Sequence, residues 1–449
     1  MNEVSEVSEV SEVSEVSEVS GVSDVSEEIT SRTDRAPVPG QRVSGGKTPK
    51  TYSVEFWRFA FTAIVALYHL EIFYQKKLMP SGTSAVEFFF VLAGFTIAMS
   101  ASRRVAVGGG RELSPREAGA LAWEYLKKKL LMIYPLLALT LVITIIIIPL
   151  AGLTFPMNYG SGAAPGFLQR MLTQLKLLTG SEWEWLMMVG TPMGFNNSTA
   201  ASAPIVPLWF LTQLLAIGYM YTYFINRKYD FAMFAAPLIS VLGFTYFVLN
   251  SENNLDFYVK MGLVNAGTVR AVTEMAMGIS IYRIYSYMVE RDWKLSGKLT
   301  LQLLELFAIY RYCVLTFNAE LGIDNFRRIP YILIIILLSF VNVTYLSKLL
   351  NRKFMEKLGK LSLPMYLIHF PIATVYFTLI FRLKTGPLAR SLPAFILTSG
   401  GTAPWFQQIP LSAGDVVMYL PFVIVMSILM NLRISDIKEG LRKARGHRG

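Results

Sequence analysis

Apolar runs of about twenty residues recur along this chain. A run of that length has one stable home, a helix through a bilayer, because hydrocarbon offers no water to an exposed backbone. Only 16% of the 449 residues are charged and 53% are hydrophobic, against about 25% charged in an ordinary soluble domain. The chain therefore reads as an all-α polytopic membrane protein. Ten spanning segments are expected, at about 53–74, 84–101, 130–153, 205–225, 230–249, 266–285, 299–318, 327–348, 362–383 and 413–432. An even number puts both termini on one side. With the termini in the cytosol, the bulk of the 42 Lys and Arg residues fall in cytosolic tails and loops, as the positive-inside rule requires. The expected location is the cytoplasmic membrane.

Three regions follow. Residues 1–50 are an acidic Glu-Val-Ser repeat and a basic linker, a composition that cannot bury a core. Residues 51–433 form the transmembrane domain, and 434–449 a basic cytosolic tail. The net charge of +11 would suggest nucleic acid in a soluble protein; here the basic residues lie between spans, and no nucleic-acid partner is expected. The long external loop 154–204 contains GFLQRMLTQLKLL at 166–178, whose apolar spacing predicts an interfacial helix. One cysteine, Cys313, excludes an internal disulfide and a thiolate metal site. The three histidines, His69, His369 and His447, are too few for a His-rich metal site, and no metal is expected.

The first span, VEFWRFAFTAIVALYHLEIFY, holds two groups that hydrocarbon should exclude, Arg58 and His69. Eleven residues is close to three helical turns, so both point from one face, roughly 16 Å apart along the axis. Ionisable groups within a span mark function by default. The second span returns from outside and brings Glu87 to the depth of His69, where a carboxylate beside the imidazole would fix its tautomer and raise its basicity. The plainer alternative is an interhelical hydrogen bond that only holds helices together.

Lys127, Lys128 and Lys129 lead into the third span at the cytosolic mouth. Taken alone they are a topology signal; taken with Arg58 they suit a phosphorylated ligand. The pantetheine arm of coenzyme A reaches on the order of 15–20 Å from its phosphates, which matches the Arg58–His69 separation. His369, between Pro364 and Pro371 in the ninth span, is either a proton-handling or ligand group or a packed histidine. Arg270 is expected to pair with Glu274 on its own helix.

These residues resemble the acyltransferase family 3 of integral membrane O-acyltransferases. The family's Arg/Lys-x10-His pattern stands here as Arg58 and His69. Its glycine-to-phenylalanine stretch stands as GTSAVEFFFVLAGF, Gly82 to Phe95, and its basic lead-in to the third span as Lys128, Lys129, Ile133, Tyr134 and Pro135. PLWFLTQLL, Pro207 to Leu215, and LGKLSLPMYLIHFPI, Leu358 to Ile372, resemble its two later signatures. Lysines replace the family's arginines at the third span, which removes bidentate phosphate geometry there.

The resemblance implies transfer of an acyl group, usually acetyl from cytosolic acetyl-CoA, to a hydroxyl of a glycan or similar cell-envelope acceptor. It implies His69 as the catalytic histidine, with Arg58, Lys128 and Lys129 on the donor side. In this reading Glu87 orients His69, and Trp209, His369 and Arg270 are the candidates for holding the acceptor. The competing expectation is an exporter or flippase of a glycan or lipid-linked sugar, using the same polar track without chemistry.

Overall fold

The computed structural model describes residues 51–71, 79–108, 112–150, 168, 169, 172, 208–250, 260, 261, 264–318, 323–385 and 412–446. The repeat tail and nearly all of loop 154–204 lie outside the described residues. Within the loop, Leu168, Gln169 and Leu172 are helical and exposed, on the stretch expected to form the interfacial helix.

The described chain is helical almost throughout. In order come α1 (Ser53–Glu71), α2 (Ala85–Val107), α3 (Pro115–Leu150), α4 (Leu208–Arg227) and α5 (Tyr229–Asn250). A short antiparallel ribbon, β1 (Lys260–Met261) with β2 (Val264–Asn265), then leads into α6 (Ala266–Val289). It is followed by α7 (Leu295–Asn318), α8 (Ile329–Val341), the short α9 (Tyr345–Leu350) and α10 (Lys353–Gly359), α11 (Ser362–Thr385) and α12 (Ala413–Gly446). Among the described residues, five helices are long and apolar enough to cross a membrane: α2 with the turn before it, α4, α5, α7 and the first twenty residues of α12. The protein is a multi-pass membrane protein.

The described part of each expected span lies on helix, with three differences that have physical causes. α3 begins fifteen residues before the expected 130, because Ser114 and Glu117 form a reciprocal cap (Ser114 N to Glu117 Oε2, 2.8 Å; Glu117 N to Ser114 Oγ, 3.2 Å) with Pro115 at the first helical position. The expected segment 327–348 is broken. α8 ends at Asn342 with φ 54°, and its thirteen residues cover about 20 Å, less than the ~30 Å hydrocarbon core. α12 runs on to Gly446, so the described part of the basic tail is a continuation of the last helix.

α2 sits at the centre: 72% of its spanning window is buried, against 22% for α5 and 28% for α12. The outer helices turn large apolar side chains outward, among them Phe234, Leu238 and Leu242 of α5 and Leu303, Phe307 and Tyr310 of α7, which is what lipid contact demands. The closest helix crossing is α2 on α6. A Cβ on Gly94 would lie 1.9 Å from the Met275 carbonyl oxygen, and one on Gly278 would lie 2.0 Å from that of Val91. In lipid, where apolar burial drives little association, such backbone-to-backbone approach at small residues holds helices together. The two helices run parallel, so the first turn of α2 faces the second and third turns of α6.

Candidate active site

α1 builds the site from both of its ends. Near its start, Arg58 is buried and its Nη1 donates to Glu55 Oε2 at 2.7 Å. Glu55 is itself pressed against α10: a Cβ on Gly359 would fall 1.9 Å from Glu55 Oε2. Glu55 therefore holds the guanidinium in place. Lys129, one residue before the apolar part of α3, faces it. Burial, and after it the Arg58 charge, hold the Lys129 ammonium down to about 8. Its Nζ also lies 5.8 Å from the centre of the Tyr125 ring. Lys128 points away, half exposed and paired with Glu124 at 2.9 Å. Of the two lysines expected beside Arg58, the structure brings Lys129 there and leaves Lys128 outside.

At the other end of α1, His69 meets His369 of α11. His369 Nε2 lies 3.0 Å from His69 Nδ1, with ring centres 4.8 Å apart. The tautomers follow from the neighbouring carbonyls, which can only accept. His69 Nδ1 lies 2.9 Å from Val65 O, and His369 Nδ1 lies 3.1 Å from Met365 O. Each Nδ1 therefore carries a hydrogen. His369 Nε2 is then a bare acceptor that shares the single His69 Nδ1–H with the Val65 carbonyl, and the neutral His69 ring carries no hydrogen on Nε2. Phe370 stands edge-on to His69 at 5.6 Å, and Tyr419 of α12 donates to the His369 carbonyl at 3.0 Å, which pins α11 next to Pro371.

The expected His69–Glu87 pairing is corrected by this geometry. Equal depth on sequential helices does not fix the direction in which each side chain points. Glu87 turns to α6, where its Oε1 accepts from Arg270 Nη2. Arg270 accordingly pairs across helices with Glu87 rather than only along its own helix with Glu274, because the Gly94–Gly278 crossing brings the two backbones so close. The guanidinium also lies over Trp209 of α4, 5.1 Å from the ring centre. Trp209 and Phe210 pack against Phe90 of α2, and Phe210 against Tyr366 of α11. Tyr366 in turn sits 5.8 Å from the His369 ring. The residues expected around the acceptor are thus joined side by side, from Arg270 and Trp209 through Phe210 and Tyr366 to His369 and His69.

Sequence reasoning placed His369 without its partner. The signal available was scarcity: of three histidines in 449 residues, two lie inside apolar segments, and polar groups there seek one another. Tyr366, Glu55 and Glu274 were not assigned to the site.

The family model for the acyltransferase 3 domain matches residues 51–430, from the start of α1 into α12. No curated protein and no solved structure matches the chain.

Proposed function

Because the chain belongs to the acyltransferase 3 family, we propose that this membrane acyltransferase moves an acetyl group from cytosolic acetyl-CoA to a hydroxyl of a glycan or similar cell-envelope acceptor. The observation that carries the reading is the histidine couple, three helical turns from a buried, ion-paired guanidinium on the same helix.

The roles divide along α1. Arg58, anchored by Glu55, and Lys129 hold the phosphates of the donor, as guanidinium and ammonium groups do. The pantetheine arm runs along the helix and sets the thioester near His69. His69 Nε2 takes the proton of the acceptor hydroxyl as its oxygen attacks the thioester carbonyl carbon. The new C–O bond forms, the C–S bond breaks, and the departing thiolate takes up the proton, leaving an ester and free CoA. As His69 becomes an imidazolium, its Nδ1–H bond to the bare Nε2 of His369 becomes charge-assisted and strengthens. That is stabilisation at the moment charge develops, which is what accelerates a reaction. Glu87 acts through Arg270 and Tyr366 rather than on His69 directly, and Trp209 with Arg270 lines the acceptor side.

Purified protein in nanodiscs, given acetyl-labelled acetyl-CoA and cell-envelope glycan, should release free CoA and label the glycan, and His69→Ala should do neither. Intact thioester with unlabelled glycan, alongside movement of the glycan across vesicles, would instead establish the exporter reading.

A further inference from the structure

Three buried ionisable side chains are gathered where α2 crosses α6. Glu87, Arg270 and Glu274 are 2%, 3% and 2% exposed, in the first turn of α2 and the second and third turns of α6. Arg270 occupies one oxygen of Glu87, Oε1. The other, Oε2, is buried and meets no donor, and the same holds for Glu274 Oε2. Glu274 follows Arg270 by four residues, one helical turn, and so stands on the same face of α6, the face that packs on α2. Two bare carboxylate oxygens brought together in a dry site repel, whereas one proton placed between them turns the contact into a hydrogen bond. The charge count points the same way. Among the described residues, two carboxylates stand against one guanidinium, an excess of negative charge that one proton removes.

We propose that Glu87 and Glu274 share a single proton inside the membrane, balanced by Arg270, and that Glu274 is the positioning residue that keeps this group neutral. From α4, Trp209 lies over the guanidinium, and Gln213, one turn further along that helix, has a buried Oε1 without a partner. Trp209, Phe210 and Tyr366 connect this group to the His369 ring. Whether a proton sits on the carboxyl pair therefore sets the field at the histidine couple. That consequence rests on the acyl-transfer reading; the shared proton itself does not.

Infrared spectroscopy of the full chain in nanodiscs tests it without measuring acyl transfer. The wild-type protein should show the carbonyl band of a buried, protonated carboxylic acid at neutral pH. Glu87→Gln and Glu274→Gln should each abolish it, because either change leaves a lone carboxylate beside Arg270 that stays ionised. Glu305→Gln serves as a control for the separate buried acid of α7 and should leave the band in place. Glutamine matches glutamate in shape, and elution as a single species with a wild-type-like Tm shows that a variant has folded; should Glu87→Gln fail this, Glu274→Gln decides alone. A wild-type spectrum with no such band, or a band that survives Glu274→Gln, overturns the proposal.

Discussion

His69 and His369 stand 300 positions apart in the chain and 3.0 Å apart in space. Among the described residues, the hydrogen-bond partners of the two rings are carbonyls and each other, with no carboxylate among them. In the familiar acid–histidine pair, a negative charge steadies the imidazolium. Here a second neutral imidazole does so, offering a lone pair and no net charge. In a membrane interior that choice avoids burying an anion when the couple is at rest.

The two histidines should therefore fail differently. His69→Ala removes the base and should lower kcat by roughly 10²- to 10⁴-fold. His369→Ala leaves the base in place but takes away a hydrogen bond to a group that becomes charged. Such a bond is worth about 1.5–3 kcal/mol, so kcat should fall about 10- to 100-fold with the donor KM little changed. His369→Gln, whose side-chain oxygen is again an acceptor, should recover part of the loss. Steady-state kinetics on the three variants check this; equal and complete loss for His69→Ala and His369→Ala would place both rings in direct contact with the reacting atoms.

Lys129 and Lys128 are neighbours in sequence with separate fates. The Lys129 ammonium is held down to about 8 by burial and by Arg58, so it is charged below that pH and neutral above it. Donor phosphates need the charged form. The donor KM should therefore rise as the pH passes from 7 to 9, by several-fold to about tenfold for one lost ammonium–phosphate contact. Lys129→Arg keeps its charge throughout and should flatten that limb. Lys128→Ala, which breaks only an exposed pair with Glu124, should change the donor KM by less than about twofold. Measuring the donor KM against pH for the three proteins separates these outcomes.

The helices were legible in the chain because a bilayer allows a backbone so few options: an apolar run of that length must satisfy its hydrogen bonds internally. The start of α3 was legible too, in Ser114, Pro115 and Glu117, but an apolarity window passes over a cap made of polar residues. The pairings were not legible. Depth can be counted along a sequence, and it placed Glu87 level with His69; the azimuth of each side chain depends on which helices touch. α2 turns Glu87 toward α6 because Gly94 and Gly278 permit the closest approach there, and α1 turns His69 toward α11. Segment 327–348 failed for a related reason. Its apolarity is continuous, yet Asn342 takes a left-handed conformation that ends α8 inside the run.

Gly94 is then the position where packing and site geometry are tied most tightly. A methyl group there would lie 1.9 Å from the oxygen and 2.7 Å from the carbon of the Met275 carbonyl, and backbone cannot swing aside as a flexible side chain can. Gly94→Ala must push α2 and α6 apart, at a cost of about 1–3 kcal/mol for overpacking. Separation would also draw Glu87 away from Arg270, so acyl transfer should fall along with stability. Gly119 of α3 provides the comparison, since nothing lies within 4 Å of a Cβ built on it. There Gly119→Ala should be neutral or raise stability by up to about 1 kcal/mol, the gain in helix propensity. Thermal unfolding in detergent, run beside the CoA-release assay, measures both; a Gly94→Ala protein as stable and active as Gly119→Ala would show that the α2–α6 crossing does not position the Glu87–Arg270 pair.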